Sequence, residues 1–261
     1  MFETITYEIK ENIGIVTLNR PEFGNAFSET TYSEFQQAME MADTDSCVKS
    51  VVVTGKGKLF CAGGDVRFFE KIIDSGEGLS IENVLRTGGL FHSIKKCSKP
   101  VIAAVNGAAA GAGAGVALAC DFIIMGKRSK IVPAFINMAF SGDTLLLLSL
   151  QRAIGAHRTA RHMMLDEPIT SSLAQEYGLS YEVVEDEEII PAAMNLAAKL
   201  AKLPTKTLGA QKQLMRQDFY PIAEKVNQLE AELMHVESLS DDHKEAVAAF
   251  IEKREPDFTG E

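Results

Sequence analysis

At 261 residues the chain is long enough for one large domain, or a domain with an appendage, and it can bury a sizeable core without disulfides or metals. A formal net charge of −10 argues against nonspecific nucleic-acid binding, and no apolar run reaches membrane-span length. Cys47, Cys61, Cys97 and Cys120 lack C-x-x-C spacing, and no His, Cys and acid cluster has metal-ligand spacing. The cysteines read as reduced core residues of a cytoplasmic protein, and the first ten residues lack a charged-then-apolar leader.

Alternation at Ile5, Tyr7, Ile9 and at Ile13, Ile15, Thr17, with Asn12 between, predicts a hairpin. Ser28 as N-cap and Tyr32, Phe35, Met39 and Ala42 on one face predict a helix over 28–42, followed by a buried strand over 48–54. The stretch from Val66 to Leu90, with Asp74-Ser75-Gly76-Glu77-Gly78, reads as a less regular segment and the most mobile loop. A strand over 101–105, a helix over 112–119 and a strand over 122–126 come next, then helices over 144–154 and 156–165. His157 and His162 share the latter with Arg158 and Arg161, which reads as a solvated face. A short helix near 171–177 leads into a strand over 179–184, and from about Glu187 the periodicity is helical to the end. Strand-rich units followed by helices suggest a coiled α/β core with a helical cap or subunit contact.

The segment Val101 to Asp121 is a short apolar run, a turn with Gly107, Gly111, Gly113 and Gly115, and a helix of small residues. Such a turn lets backbone approach a ligand, and the first N–H groups of the helix are free to bind an anion. It matches neither G-x-G-x-x-G in register nor a P-loop, and tight helix packing alone also explains a Gly/Ala-rich turn. A second glycine pair lies in Leu59 to Asp65, so two turns together offer two backbone donors to one oxygen.

Ordered motifs resemble those of the enoyl-CoA hydratase/isomerase family, the crotonases. They are Leu18-Asn19-Arg20-Pro21 with Asn25-Ala26-Phe27, Phe60-Cys61-Ala62-Gly63-Gly64-Asp65, Lys99 to Gly107, Cys120-Asp121, and the ending Phe250 to Phe258. The resemblance implies a crotonase-like spiral of ββα units over residues 1–200 and a C-terminal helical trimerisation region over 201–261. It implies a homotrimer or dimer of trimers and an acyl-CoA thioester as substrate, with coenzyme A entering only as part of that substrate and no separate cofactor.

The same resemblance places the oxyanion-hole donors on the N–H groups of Gly64 and Ala112. Of the two glutamates used by family hydratases, the first position falls on Gly115 and the second on Phe135, so the two-glutamate mechanism has no acids here. Asp143 matches the acidic residue of single-carboxylate isomerases. Taken alone it reads as an N-cap of the 144–154 helix, and the two roles are compatible. Beside Leu145, Leu146 and Phe135 its pKa is expected to rise by desolvation. Ala62, Asp65, Gly111, Phe135 and Leu146 are expected at the substrate. Arg20 and Lys58, with Lys56 and Arg67, are expected near the CoA phosphates, and Lys253 is placed to reach a neighbour's CoA. Asp65 is expected to brace its turn and Asp121 to serve structure. Double-bond isomerisation with Asp143 as the single acid/base is the expected reaction. The alternatives are a hydrolase, dehalogenase or decarboxylase of the same family, or a non-catalytic acyl-CoA-binding protein. The position of the dehalogenase's assisting His falls near Gly88, with His92 four residues later on a helix face.

Overall fold

The computed structural model describes residues 2–217 and 220–261. Strands β1 (Ile5–Lys10) and β2 (Ile13–Leu18) form the expected antiparallel hairpin, with Ile5 opposite Leu18. Glu11 and Asn12 turn it at φ 50° and 67°, the left-handed pair that a two-residue hairpin favours. Helix α1 (Glu29–Thr44) is capped by the Ser28 hydroxyl, which accepts from the Thr31 N–H, and it buries Phe35, Ala38, Met39 and Ala42. Strand β3 (Ser50–Gly55) then pairs parallel to β2 and is buried at every residue, which explains its unbroken apolar run.

The segment read as a mobile loop is two helices. Helix α2 (Val66–Ser75) starts on an Asp65 cap and ends on Gly76 at φ 69°; α3 (Ile81–Lys96) starts on a Ser80 cap. The Gly-rich cluster that suggested a loop is only the joint between them. Both caps were in the sequence, but the glycines masked them.

Strands β4 (Val101–Val105) and β5 (Ala108–Ala110) lead into α4 (Ala112–Ala119), followed by β6 (Phe122–Gly126) and β7 (Lys130–Val132). Helices α5 (Leu146–Ile154) and α6 (Ala156–Met164) precede β8 (Ile169–Thr170), α7 (Ser171–Glu176) and β9 (Glu182–Val184). The strands make a six-stranded sheet of order β1-β2-β3-β4-β6-β9 and a three-stranded sheet of order β5-β7-β8. The coiled α/β architecture expected of the chain is therefore present.

Among the described residues the later part of the chain forms α8 (Ile189–Ala201), α9 (Thr205–Gln217), α10 (Tyr220–Glu237) and α11 (Asp241–Glu252). Helix α8 covers one face of the large sheet, where Ala193, Leu196 and Ala197 meet Val52, Ile102 and Ile124. Helix α10 packs along α3, and α11 packs against α2. Among the described residues no helix is long and apolar enough to cross a membrane.

Three local expectations change. Helix α5 begins at Leu146 rather than Thr144, because Thr144 and Leu145 both take φ 57° and cannot be helical. His162 is fully buried, not solvated: its Nδ1 lies 2.7 Å from the Glu167 carbonyl and its ring meets Tyr177 edge-on. Cys47 is exposed, whereas Cys61, Cys97 and Cys120 are buried free thiols. Asp121 is structural as expected, accepting from the Val101 N–H and pairing with Lys212.

Candidate active site

Two turns meet at the site. Phe60 and Cys61 follow β3, and the Ala110 N–H donates to the Cys61 carbonyl at 2.8 Å, which ties the 59–65 turn to β5. Gly113 on α4 lies against Cys61, and a Cβ there would be 2.6 Å from the Cys61 Cβ. Gly63 has φ 104° and faces Ala110 and Gly111 so closely that an added Cβ would lie 3.3 Å from the Ala110 carbonyl oxygen. Only glycine combines that φ with that approach.

The neighbouring N–H groups are accounted for: Gly63 donates to the Cys61 sulfur, Asp65 to the Phe27 carbonyl, and Gly111 to the carbonyls of Val132 and Pro133. Among the described residues the Gly64 N–H has no acceptor, and Ala112, the first residue of α4, has none within its helix. Both residues line one cavity of about 340 Å³. The two residues expected to carry the backbone donors, Gly64 and Ala112, thus border one cavity.

The walls of that cavity are apolar and aromatic, with Phe27, Phe68, Phe69, Phe135, Phe140 and Met234 among them. Its acids are Glu29, Asp65 and Asp143. Glu29 is exposed. Asp65 is held by Arg67 and Arg20 and caps α2; hydrogen bonds from these arginines lower its pKa to about 2, so it stays ionised and paired. Asp143 differs from both. It is 8% exposed, and burial raises its pKa to about 6, against the nearby hydroxyls of Thr144 and Thr87, which lower it. The Thr144 hydroxyl donates to Asp143 Oδ1 at 2.5 Å. Asp143 is not an N-cap: Leu145 holds that position in α5, and no side chain caps the helix.

Of the residues expected at the substrate, Ala62, Asp65, Gly111 and Phe135 line the cavity along with Gly64, Ala112 and Asp143. Arg20, Lys58 and Leu146 lie outside its wall. Arg20 donates to Asp65 and to the Ala26 carbonyl, so its guanidinium holds the turn together. Lys58 is exposed, and Leu146 is fully buried in the core. The cations in the wall are Arg67 and Arg86, each paired with an acid.

Sequence reading passed over three polar groups. Tyr32 lines the cavity, with its hydroxyl 4.0 Å from the position of a Cβ on Gly64. Burial, followed by the charge of Asp143, raises its pKa well above the ordinary value, so it is a neutral phenol. Thr87 on α3 lines the wall beside Asp143. Glu230 on α10 is 8% exposed and accepts from the Leu145 N–H at 3.2 Å, directly behind the turn that carries Asp143. None of the three sits in a motif, and only the tertiary fold brings α1, α3 and α10 to one place.

A family model described as enoyl-CoA hydratase/isomerase matches residues 8–261. The chain is 31% identical to the trans-2-decenoyl-[acyl-carrier-protein] isomerase of Streptococcus mutans, over 99% of each chain. It is 33% identical to the 1,2-epoxyphenylacetyl-CoA isomerase of Escherichia coli, over 100% of each. The crystal structure of an enoyl-CoA hydratase from Mycobacterium avium subsp. paratuberculosis superposes with a TM-score of 0.90 at 25% identity, covering 99% of this chain and 100% of that one.

Proposed function

Because the chain belongs to the enoyl-CoA hydratase/isomerase family, we propose that it moves a carbon–carbon double bond within an acyl-CoA thioester, with Asp143 as the only acid/base. One observation carries this reading: Asp143 is a buried carboxylate whose pKa burial lifts to about 6, in a cavity shared with the unclaimed N–H groups of Gly64 and Ala112. A base of that strength is poised near neutral pH, where it both accepts and returns a proton.

In the proposed reaction the thioester oxygen sits between the Gly64 and Ala112 N–H groups. Asp143 takes a proton from the carbon next to the carbonyl of a 3-enoyl thioester. Negative charge moves onto the carbonyl oxygen, where each backbone donor is worth about 3 kcal/mol. Asp143 then returns the proton to the far carbon of the dienolate, and a 2-enoyl thioester results. One carboxyl is enough because the acid that forms in the first step is the one consumed in the second.

Two further features support isomerisation over hydration or ring substitution. By the resemblance of the motifs, Gly115 and Phe135 fall where hydratases of the family carry their two glutamates. Gly88, near the position of the dehalogenase's histidine, faces Asn227 so closely that a Cβ would lie 2.1 Å from its Oδ1. The names of two relatives, one acting on a decenoyl and one on a phenylacetyl derivative, fit an apolar aromatic pocket that takes either kind of chain.

The test is incubation with a 3-enoyl-CoA in deuterated water, followed by mass spectrometry and chromatography. A 2-enoyl-CoA product is expected, with part of the transferred hydrogen retained because the cavity shields Asp143. Formation of a 3-hydroxyacyl-CoA from a 2-enoyl-CoA, or no conversion and no exchange, overturns the proposal.

A further inference from the structure

Behind Asp143 the 143–145 turn, α3 and α10 bring together buried polar side chains: Thr87, Thr144, Asn227 and Glu230, with Asp143 itself. The backbone of the turn is unusual. Thr144 and Leu145 are consecutive left-handed residues, each at φ 57°, and neither is glycine. Left-handed β-branched residues persist only where the surroundings hold them. The Glu230 carboxyl supplies that hold by accepting the Leu145 N–H. Without it the donor is buried between Asp143 and α5 with no other acceptor among the described residues.

We propose that Glu230 is a positioning residue for Asp143: it fixes the Thr144–Leu145 turn through the Leu145 N–H, and the two carboxyls take up and release protons as a coupled pair. This rests on the reading of Asp143 as the proton-transferring group. Glu230 does not line the substrate cavity, so it acts through Asp143 rather than on the acyl chain.

The surroundings fit a Glu230 that keeps its proton at neutral pH. A neutral carboxyl is donor and acceptor at once. Asn227, three residues earlier and so on the same helical face, buries an Oδ1 that has no donor. The neutral Tyr32 phenol from α1 feels the charge of Asp143, and α3 presents the uncharged Thr87 beside it. Among the described residues no Lys or Arg charge acts on either carboxyl. Burial first, and then the charge of Asp143, raise Glu230 to about 8, against about 6 for Asp143. Ionising the second carboxyl beside the first is therefore the costly step, and the two protons leave in separated, mutually dependent stages.

The experiment follows the carboxyl carbons of protein labelled with carbon-13 at aspartate and glutamate side chains across pH 4 to 10, in the wild type and in Glu230→Gln. Turnover is measured in parallel for Glu230→Gln and Glu230→Leu. The wild-type Asp143 signal is expected to move in two steps, the upper one disappearing in Glu230→Gln. Glu230→Leu, which leaves the Leu145 N–H without an acceptor, is expected to lower kcat on the order of tenfold to a hundredfold with KM unmoved. Glu230→Gln keeps an acceptor oxygen and recovers most of that loss. An Asp143 titration identical in wild type and Glu230→Gln overturns the coupling, and full turnover by Glu230→Leu overturns the positioning. The titration needs no turnover, so it decides on Glu230 even if the isomerase reading fails or Glu230→Leu does not fold.

Discussion

A Cβ placed on Gly115 would lie 2.6 Å from the Cβ of Thr144 and 2.7 Å from its methyl carbon. The space a side chain at 115 would need is thus filled by the turn that carries Asp143. The two arrangements exclude each other: a glutamate on α4, or an Asp143-Thr144 turn packed against a glycine. Gly115→Ala is expected to destabilise the fold by about 1–3 kcal/mol through overpacking, read as a lower urea midpoint. Adding Thr144→Gly should restore most of that loss, since it removes the colliding atoms. Equal midpoints for wild type and Gly115→Ala would show that the turn yields freely.

Asp143→Asn keeps the Oδ1 that accepts from Thr144 and removes only the proposed proton-transferring carboxyl. Turnover is expected to fall by about 10²–10⁴-fold. Acyl-CoA affinity by calorimetry should stay near the wild-type value, because the donors at Gly64 and Ala112 and the aromatic wall are untouched. Unchanged turnover would remove Asp143 from the chemistry.

The two buried carboxyls also cost stability, with a definite sign. Asp143 and Glu230 have native pKa values raised to about 6 and about 8, above those of the unfolded chain. The native state therefore holds its protons more tightly, and stability falls as pH rises through that window. A tenfold tighter hold on one proton corresponds to about 1.4 kcal/mol. Asp65, lowered to about 2, works in the opposite direction and only below pH 4. Thermal melts between pH 4 and 8 should show the wild type losing more stability than Asp143→Asn or Glu230→Gln. Parallel curves for all three would refute the assignment.

The parts of this site readable in sequence are those written in local backbone. Gly63, Gly64, Gly111 and Ala112 announce two turns and a helix start, and family motifs set them in register. The expectation that Gly64 and Ala112 border one cavity followed from that alone. What stayed hidden depends on long-range packing. Glu230 is one acid among many on a helical segment, and nothing local distinguishes it from its exposed neighbours Glu224 and Glu232. Thr144 and Leu145 look like good helix starters, and their left-handed conformation comes from the Glu230 contact and from Gly115 behind them. Arg20 and Lys58 were expected near the CoA phosphates from their charge and their place around the first family motifs. The fold commits Arg20 to Asp65 and leaves Lys58 outside the cavity wall.

Helix α10 turns Glu230 inward and leaves Ile222, Leu229, Leu233 and Val236 exposed, at 43–66% of their accessible surface. Their spacing puts them on one side of the helix, a stripe that suits contact with further copies of the chain. Light scattering after size exclusion is expected to give three or six times the chain mass, and Leu229→Lys with Leu233→Lys should reduce it to one. A monomeric wild type would assign the stripe another role.

Ala112 allows the proposed oxyanion hole to be tested by replacing its N–H hydrogen with a proline ring carbon. It is the first residue of α4, where the N–H has no partner within the helix and proline is well tolerated. Gly111 precedes it at φ 49° and ψ −122°, a conformation open to glycine. Ala112→Pro should therefore keep the helix while deleting one of the two donors. Loss of one such donor is expected to lower kcat by about 10²–10³-fold. In the proposed reaction charge on the thioester oxygen develops only as Asp143 removes the proton, so kcat is expected to fall by more than acyl-CoA affinity does. Circular dichroism and melting temperature close to the wild type, with that loss, assign the donor role to Ala112. Full turnover in Ala112→Pro would leave Gly64 as the only backbone donor the reaction uses.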